Sequence, residues 1–235
     1  NLNFSDEEFN KEIQVVMEER RLRTEDHPTS LMQELMMATA FITSPSRDPI
    51  IGWMDDLQNM KANDARQWYR DWYAPNNAIV VVVGDVKAVE VKALVEKFYG
   101  PIQAKQLPER KPQIEPEQKG EKRVNLKAPA DSPQIMMAWK VPKLDPKKMD
   151  DVEPYALEVL SAALSGHDNS RLNRELVRNK RLANNAGASY DLISRGPELF
   201  VISATAAKGQ TVIDLEKGIL QSIQEIADKG ITEAE

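Results

Sequence analysis

From residue 101 to residue 120 the chain turns to Pro, Lys, Gln and Glu with few apolar side chains, a composition that cannot bury enough surface to form a core. Two modules on either side of it therefore fit the pattern better than one large core. Residues 104–120 read as a linker between a module at 1–103 and a second at 121–235. A chain of 235 residues with 41% hydrophobic side chains can fill two cores of about 100 residues each.

The first module opens on a helix over 5–23. Ser5 with Glu8 three residues on is a capping box. Two acids on this helix, Glu12 and Glu19, are separated by seven residues and so lie about 20° apart around its axis. Phe9, Ile13, Val15 and Val16 flank them, which places both carboxylates on the apolar face, with Glu18 turned outward. An unpaired charge is costly to bury. Two acids in such a stripe ask for a cation, supplied by a metal or a catalytic site, or by Arg20, Arg21 or Arg23.

Asp26-His27-Pro28 breaks the helix. The pattern then predicts helices over 29–41, 51–60 and 63–73, and a turn at Ala74-Pro75-Asn76-Asn77. A β-branched run over 78–83 predicts a strand buried on both faces. Residues 86–99 follow as an amphipathic helix with Val89, Val91, Leu94, Val95 and Phe98 inward. In the second module, strands are predicted at 122–127, 134–141, 183–192 and 199–206, with helices at 151–164, 170–180 and 211–229. This mixture is α+β, with helices layered on a mainly antiparallel sheet.

The remaining features are negative or bland. A formal charge of −6 without a basic patch excludes a nucleic-acid footprint. Absence of Cys excludes disulfides and thiolate chemistry. The longest apolar run, 78–83, is too short to span a bilayer. These residues show neither a signal nor a membrane insertion. Trp53, Trp68, Trp72 and Trp139 are expected to be core or interface anchors, and His27 and His167 to be solvated loop residues. Both ends read as cut, because Thr232-Glu233-Ala234-Glu235 repeats a helix start signal.

Residues 9–23, then Trp68-Tyr69, Trp72-Tyr73-Ala74-Pro75-Asn76-Asn77-Ala78 and Val83-Gly84-Asp85, resemble the pitrilysin (insulinase-type) family of zinc metallopeptidases. The likeness is strongest to bacterial members with two tandem α+β domains per subunit. Leu164-Ser165-Gly166, Ser170-Arg171-Leu172, Glu175-Leu176-Val177 and Leu182-Ala183 resemble that family's second domain. The resemblance implies two tandem α/β sandwich modules of the pitrilysin/LuxS-like metallopeptidase type, both incomplete. The first would be the later half of a zinc-binding domain.

The same resemblance implies a zinc-dependent endopeptidase, hydrolysing peptides with a zinc-activated water. It makes Glu19 a zinc ligand and Glu12 an acid that orients a ligand by hydrogen bonding, neither being the general base. No H-x-x-E-H occurs in the chain. The base and the histidine ligands would lie upstream, so the segment alone is expected to be inactive and to hold no zinc. Val177 and Asn184 occupy the positions of the family's substrate-binding Arg and Tyr. That implies a partner half, on the same chain or as a homo- or heterodimer, acting on unfolded peptides. Family members of this kind imply a periplasmic location, with the cytoplasm as the alternative. The competing reading is a non-catalytic subunit that gathers substrate within a paired complex.

Overall fold

The computed structural model describes residues 3–232. The chain forms two compact units, each discontinuous in sequence. Residues up to Glu19 join Gly52–Pro112, and Arg20–Ile51 joins the residues from Gln113 onward. The architecture is α+β.

The second unit is built on a three-stranded antiparallel sheet of β1 (Gln134–Val141), β2 (Ala183–Ser189) and β3 (Glu198–Ala206), in the order β1-β3-β2. β3 is central because its alternation is cleanest: Phe200, Ile202, Ala204 and Ala206 are buried, while Val201, Ser203 and Thr205 between them are half-buried. Register places Ile135 and Ala186 opposite Ala204, and Met137 and Ala188 opposite Ile202. One face of all three strands is thereby apolar.

That face is covered by α6 (Val152–Ser165), a π-helical segment (Asn173–Asn179) and α7 (Val212–Lys229). Leu164, Leu172, Leu176, Leu215 and Ile219 are fully buried against it. Each contributes about 1.5–3 kcal/mol by removal from water. α7 starts at a capping box, with Asp214 N–H donating to Thr211 Oγ1 and Thr211 N–H to the Asp214 carboxylate. Its buried stripe runs Leu215, Gly218, Ile219 and Ser222, a helical spacing. Gly218 lets α7 approach closely: a Cβ there would stand 2.8 Å from Leu176 Cδ2, so that buried side chain would have to shift.

β2 is an edge strand, and α6 blunts it. Ser165 Oγ donates to Ala188 O at 2.9 Å and accepts from Ala188 N–H at 2.8 Å, using backbone groups that would otherwise offer a pairing edge. The opposite face of β1 carries Gln134, Met136, Ala138 and Lys140, and α2 (Pro28–Ala40) lies against this strand. Thr29 Oγ1 donates to Gln134 Oε1 at 2.8 Å.

The first unit contains α1 (Asp6–Arg20, which runs one residue into the second unit), α3 (Met54–Asn59), α4 (Ala62–Trp72) and α5 (Ala88–Phe98). Among its described residues the buried apolar side chains are Met17, Leu57, Ala62 and Ala74. The strand expected at 78–83 does not form: no described residue pairs with it, and Ile79 and Val83 are about nine-tenths exposed. A β-branched run favours extended backbone but becomes a strand only when a neighbour takes its N–H and C=O groups. For the same want of a covering surface, α5 buries none of its residues, and Val89, Leu94 and Phe98, expected inward, are exposed. Residues 122–127 are likewise not a strand.

The apolar-poor segment at 101–120 forms no helix or strand, as its composition requires, yet it is held. Asn76 exchanges two hydrogen bonds with the backbone of Lys105, and the Arg110 guanidinium lies 4.7 Å from the Trp72 ring. The two helices expected at 5–23 and 170–180 end and continue, respectively, in π-helical turns at Arg21–Glu25 and Asn173–Asn179. The start signal read at 232–235 falls largely outside the described residues.

Candidate metal-binding helix

α1 begins where its chemistry dictates. Glu8 N–H donates to Ser5 Oγ at 3.1 Å and Ser5 N–H donates to Glu8 Oε2 at 2.7 Å, satisfying two end groups reciprocally. These Ser5 bonds, the backbone one foremost, hold the Glu8 carboxyl below its ordinary range. Asp6, Glu7 and Glu8 in the first turn and Arg20 in the last complement the helix dipole.

The helix presents a different inner face from the one the apolar residues alone predict. Met17 and Arg20 are buried and Phe9, Ile13, Val16 and Glu19 half-buried, while Glu12, Val15 and Glu18 are exposed. Phe9, Ile13, Val16 and Arg20 fall within about 60° of one another, and Glu12 and Glu19 stand about 70–90° to one side of their centre. The expectation that both acids lie on the buried face is thus corrected. Glu12 faces water, and Glu19 sits at the margin of the packed surface.

The reason is Arg20. Its guanidinium, 4% exposed, makes a two-pronged pair with Glu34 of α2, Nη1 to Oε2 at 2.8 Å and Nη2 to Oε1 at 2.9 Å, and Nε lies 3.3 Å from Glu25 Oε1. The Glu34 hydrogen bonds raise the Arg20 pKa against the opposing effect of burial. Arg20, one of the three cations offered for Glu12 and Glu19, pairs with Glu34 and Glu25 within the second unit. Its signal in the sequence was position: Arg20 follows Phe9, Ile13 and Val16 at helical spacing on the same stripe.

Among the described residues, no three His, Cys, Asp or Glu side chains gather to hold a metal ion. Glu19 offers one carboxylate, which does not complete a zinc site. His27 is exposed at the N-terminus of α2, and His167 is an exposed turn residue whose Nδ1 accepts from Asn169 N–H at 3.1 Å. Val177 is half-buried in the π-helical segment, and Asn184 Nδ2 donates to Ala206 O at 3.2 Å. Asn77 Nδ2 donates to the local backbone at Trp72 O, 2.8 Å, while the Asn76 amide is taken up by the backbone of Lys105.

The aromatic residues of the first unit form what sequence reasoning missed. Trp68, expected as an anchor, is 58% exposed. With Tyr73 it walls two adjoining open pockets of about 520 and 890 Å³, the first reaching Trp72 and Arg110 and the second Phe4, Met60 and Tyr69. Ring centroids of Tyr69 and Tyr73 are 4.7 Å apart. Neither pocket is lined by Glu12 or Glu19.

Comparison with known proteins agrees with this fold. Residues 59–235 match the family described as the Peptidase M16 inactive domain. The chain belongs to this family of pitrilysin-type peptidases. It is 34% identical to the zinc protease PqqE of Helicobacter pylori over 239 aligned positions, covering all of this chain and 52% of that protein. The crystal structure of a protease from Helicobacter pylori superposes with a TM-score of 0.88 at 32% identity, over 99% of this chain and 56% of that one. The periplasmic protease PqqL of Escherichia coli shares the fold, with a TM-score of 0.71 at 18% identity over 98% of this chain and 25% of that one. The chain spans about half the length of the curated full-length relatives it matches.

Proposed function

We propose that these residues are part of a zinc-dependent metalloendopeptidase and do not hydrolyse peptides by themselves. The observation that carries this reading is a pairing of presence and absence. The chain is homologous to proteins named zinc proteases, yet it has no H-x-x-E-H and, among the described residues, Glu19 joins no group of three metal-ligating side chains. In the intact enzyme Glu19 is one zinc ligand and Glu12 an acid that orients the site. The histidine ligands and the general base come from outside residues 1–235. The substrate is an unfolded peptide, received between this half and a second half on the same chain or on a second subunit. A domain boundary near 103–121 and a periplasmic location are part of the proposal, with the cytoplasm as the alternative. No helix among the described residues is long and apolar enough to cross a membrane.

A second reading is favoured by the matched family's description as inactive and by the exposed aromatic pockets: a non-catalytic subunit that gathers substrate. The two separate in one experiment. Turnover of an unstructured peptide is measured for the 235-residue chain, for the longer protein that contains it, and for that protein carrying Glu19→Gln. Activity in the longer protein alone, abolished by the substitution, supports the peptidase. A longer protein that binds the peptide without cleaving it supports the second reading.

A further inference from the structure

The connecting segment poses a physical problem: residues 113–120 have almost no apolar burial, and Ile114 is 85% exposed, yet their path is fixed. The fixing point is Glu115. Its carboxylate accepts from three successive backbone N–H groups at the exit of α2, from Ile42 and Thr43 at 2.9 Å and from Ser44 at 3.0 Å. Lys140 Nζ on β1 completes the set at 2.8 Å. Thr43 Oγ1 donates in turn to Ile114 O at 2.8 Å. The Glu115 side chain is only 11% exposed and that of Lys140 25%.

Three consecutive amides converging on one point make an anion-binding concavity, and here the anion is part of the chain. Surface ion pairs alone contribute little. The difference is that Ser44 is 4% exposed, so without the carboxylate its N–H would be left unsatisfied away from water. The site also fastens α2 at its second end. Thr29 meets Gln134 at one end of β1 and the 42–44 loop meets Lys140 through Glu115 at the other. The spans match, since 13 helical residues and six strand residues each cover about 20 Å.

We propose that Glu115 is a clasp: its carboxylate, docked in the Ile42, Thr43 and Ser44 amides and on Lys140, turns a segment composed as a flexible tether into a fixed strap on the second unit. With the clasp open, the stretch returns to the tether its composition encodes, exposing the Lys119–Gly120 bond to cleavage. The test uses the 235-residue chain, following amide hydrogen exchange and the rate of tryptic cleavage. Glu115→Ala is expected to speed exchange at residues 42–44 by roughly 10–100-fold, the scale of lost hydrogen bonds to a charged group, and to accelerate cleavage at Lys119. β3 amides should be unmoved. Lys140→Met, which leaves the carboxylate in place, should speed the same amides by a smaller factor. Loss confined to the loop and the strap supports the clasp. Unchanged exchange at 42–44, or loosening that extends equally to β3, overturns it.

Discussion

Removing Glu34 should be disproportionately costly because of what it leaves behind. In Glu34→Ala the Arg20 guanidinium keeps its buried position, its side chain only 5% exposed, and loses both Glu34 oxygens. Breaking a buried pair from one side costs about 3–5 kcal/mol. The Glu25 contact at 3.3 Å survives and its side chain is 36% exposed, so part of the charge stays compensated and about 2–4 kcal/mol is expected. Replacing both partners, as Arg20→Met with Glu34→Leu, removes charge and desolvation cost together. That double variant should lie within about 1 kcal/mol of the parent, or be more stable. Because the chain has two compact units, a single melting temperature mixes them. Native-state exchange of the α2 amides at residues 31–37 over a urea series reads the relevant unit directly. A Glu34→Ala cost below about 0.5 kcal/mol, or a double variant as damaged as the single one, would refute the claim that the pair is buried and mutually dependent.

Leu176, fully buried beneath Gly218, should lose about 2–5 kcal/mol on substitution by Ala, read from the urea midpoint of β3 exchange. The Glu115 carboxyl carries a pH dependence of known sign. Burial pushes it up, but the Lys140 bond and the three backbone bonds outweigh that and hold it well below the usual carboxylate range. A depressed folded pKa stabilises above the unfolded value, near 4.3 for Glu, and that contribution is lost as pH falls through the folded value. The gap in exchange protection at residues 42–44 between the parent and Glu115→Gln should therefore be full above about pH 5 and shrink progressively on acidification below about pH 4.5. A gap that widens on acidification would contradict the assignment.

Elements whose partners lie within the chain were legible from local pattern. β1, β2 and β3 appear where alternation placed them, and α7 starts at its Thr211–Asp214 box. The run at 78–83 shows the limit: Ile, Val and Val again encode an extended backbone, but strand identity belongs to a pair of segments, and no described residue supplies the second. The face of α1 was misjudged for a related reason. Hydropathy counted Val15 as inward and offered Arg20 only as a cation for Glu12 and Glu19, whereas Val15 is exposed and Arg20 is buried because Glu34, fourteen residues on, meets it in space. The clasp was hidden in a segment that reads as solvated, since Glu115 gains its meaning from backbone amides seventy residues earlier. Glu19 remains at a margin consistent with a ligand that completes its site elsewhere, a role that rests on the resemblance and on the proposal above.

Zinc content of the longer protein containing these residues tests that role most directly. Metal analysis after dialysis should find about one zinc per chain in the parent and in Glu18→Gln, whose carboxylate faces water, and a large loss in Glu19→Gln. Equal retention, or equal loss, in the two variants would contradict the assignment of Glu19 as the metal-binding carboxylate.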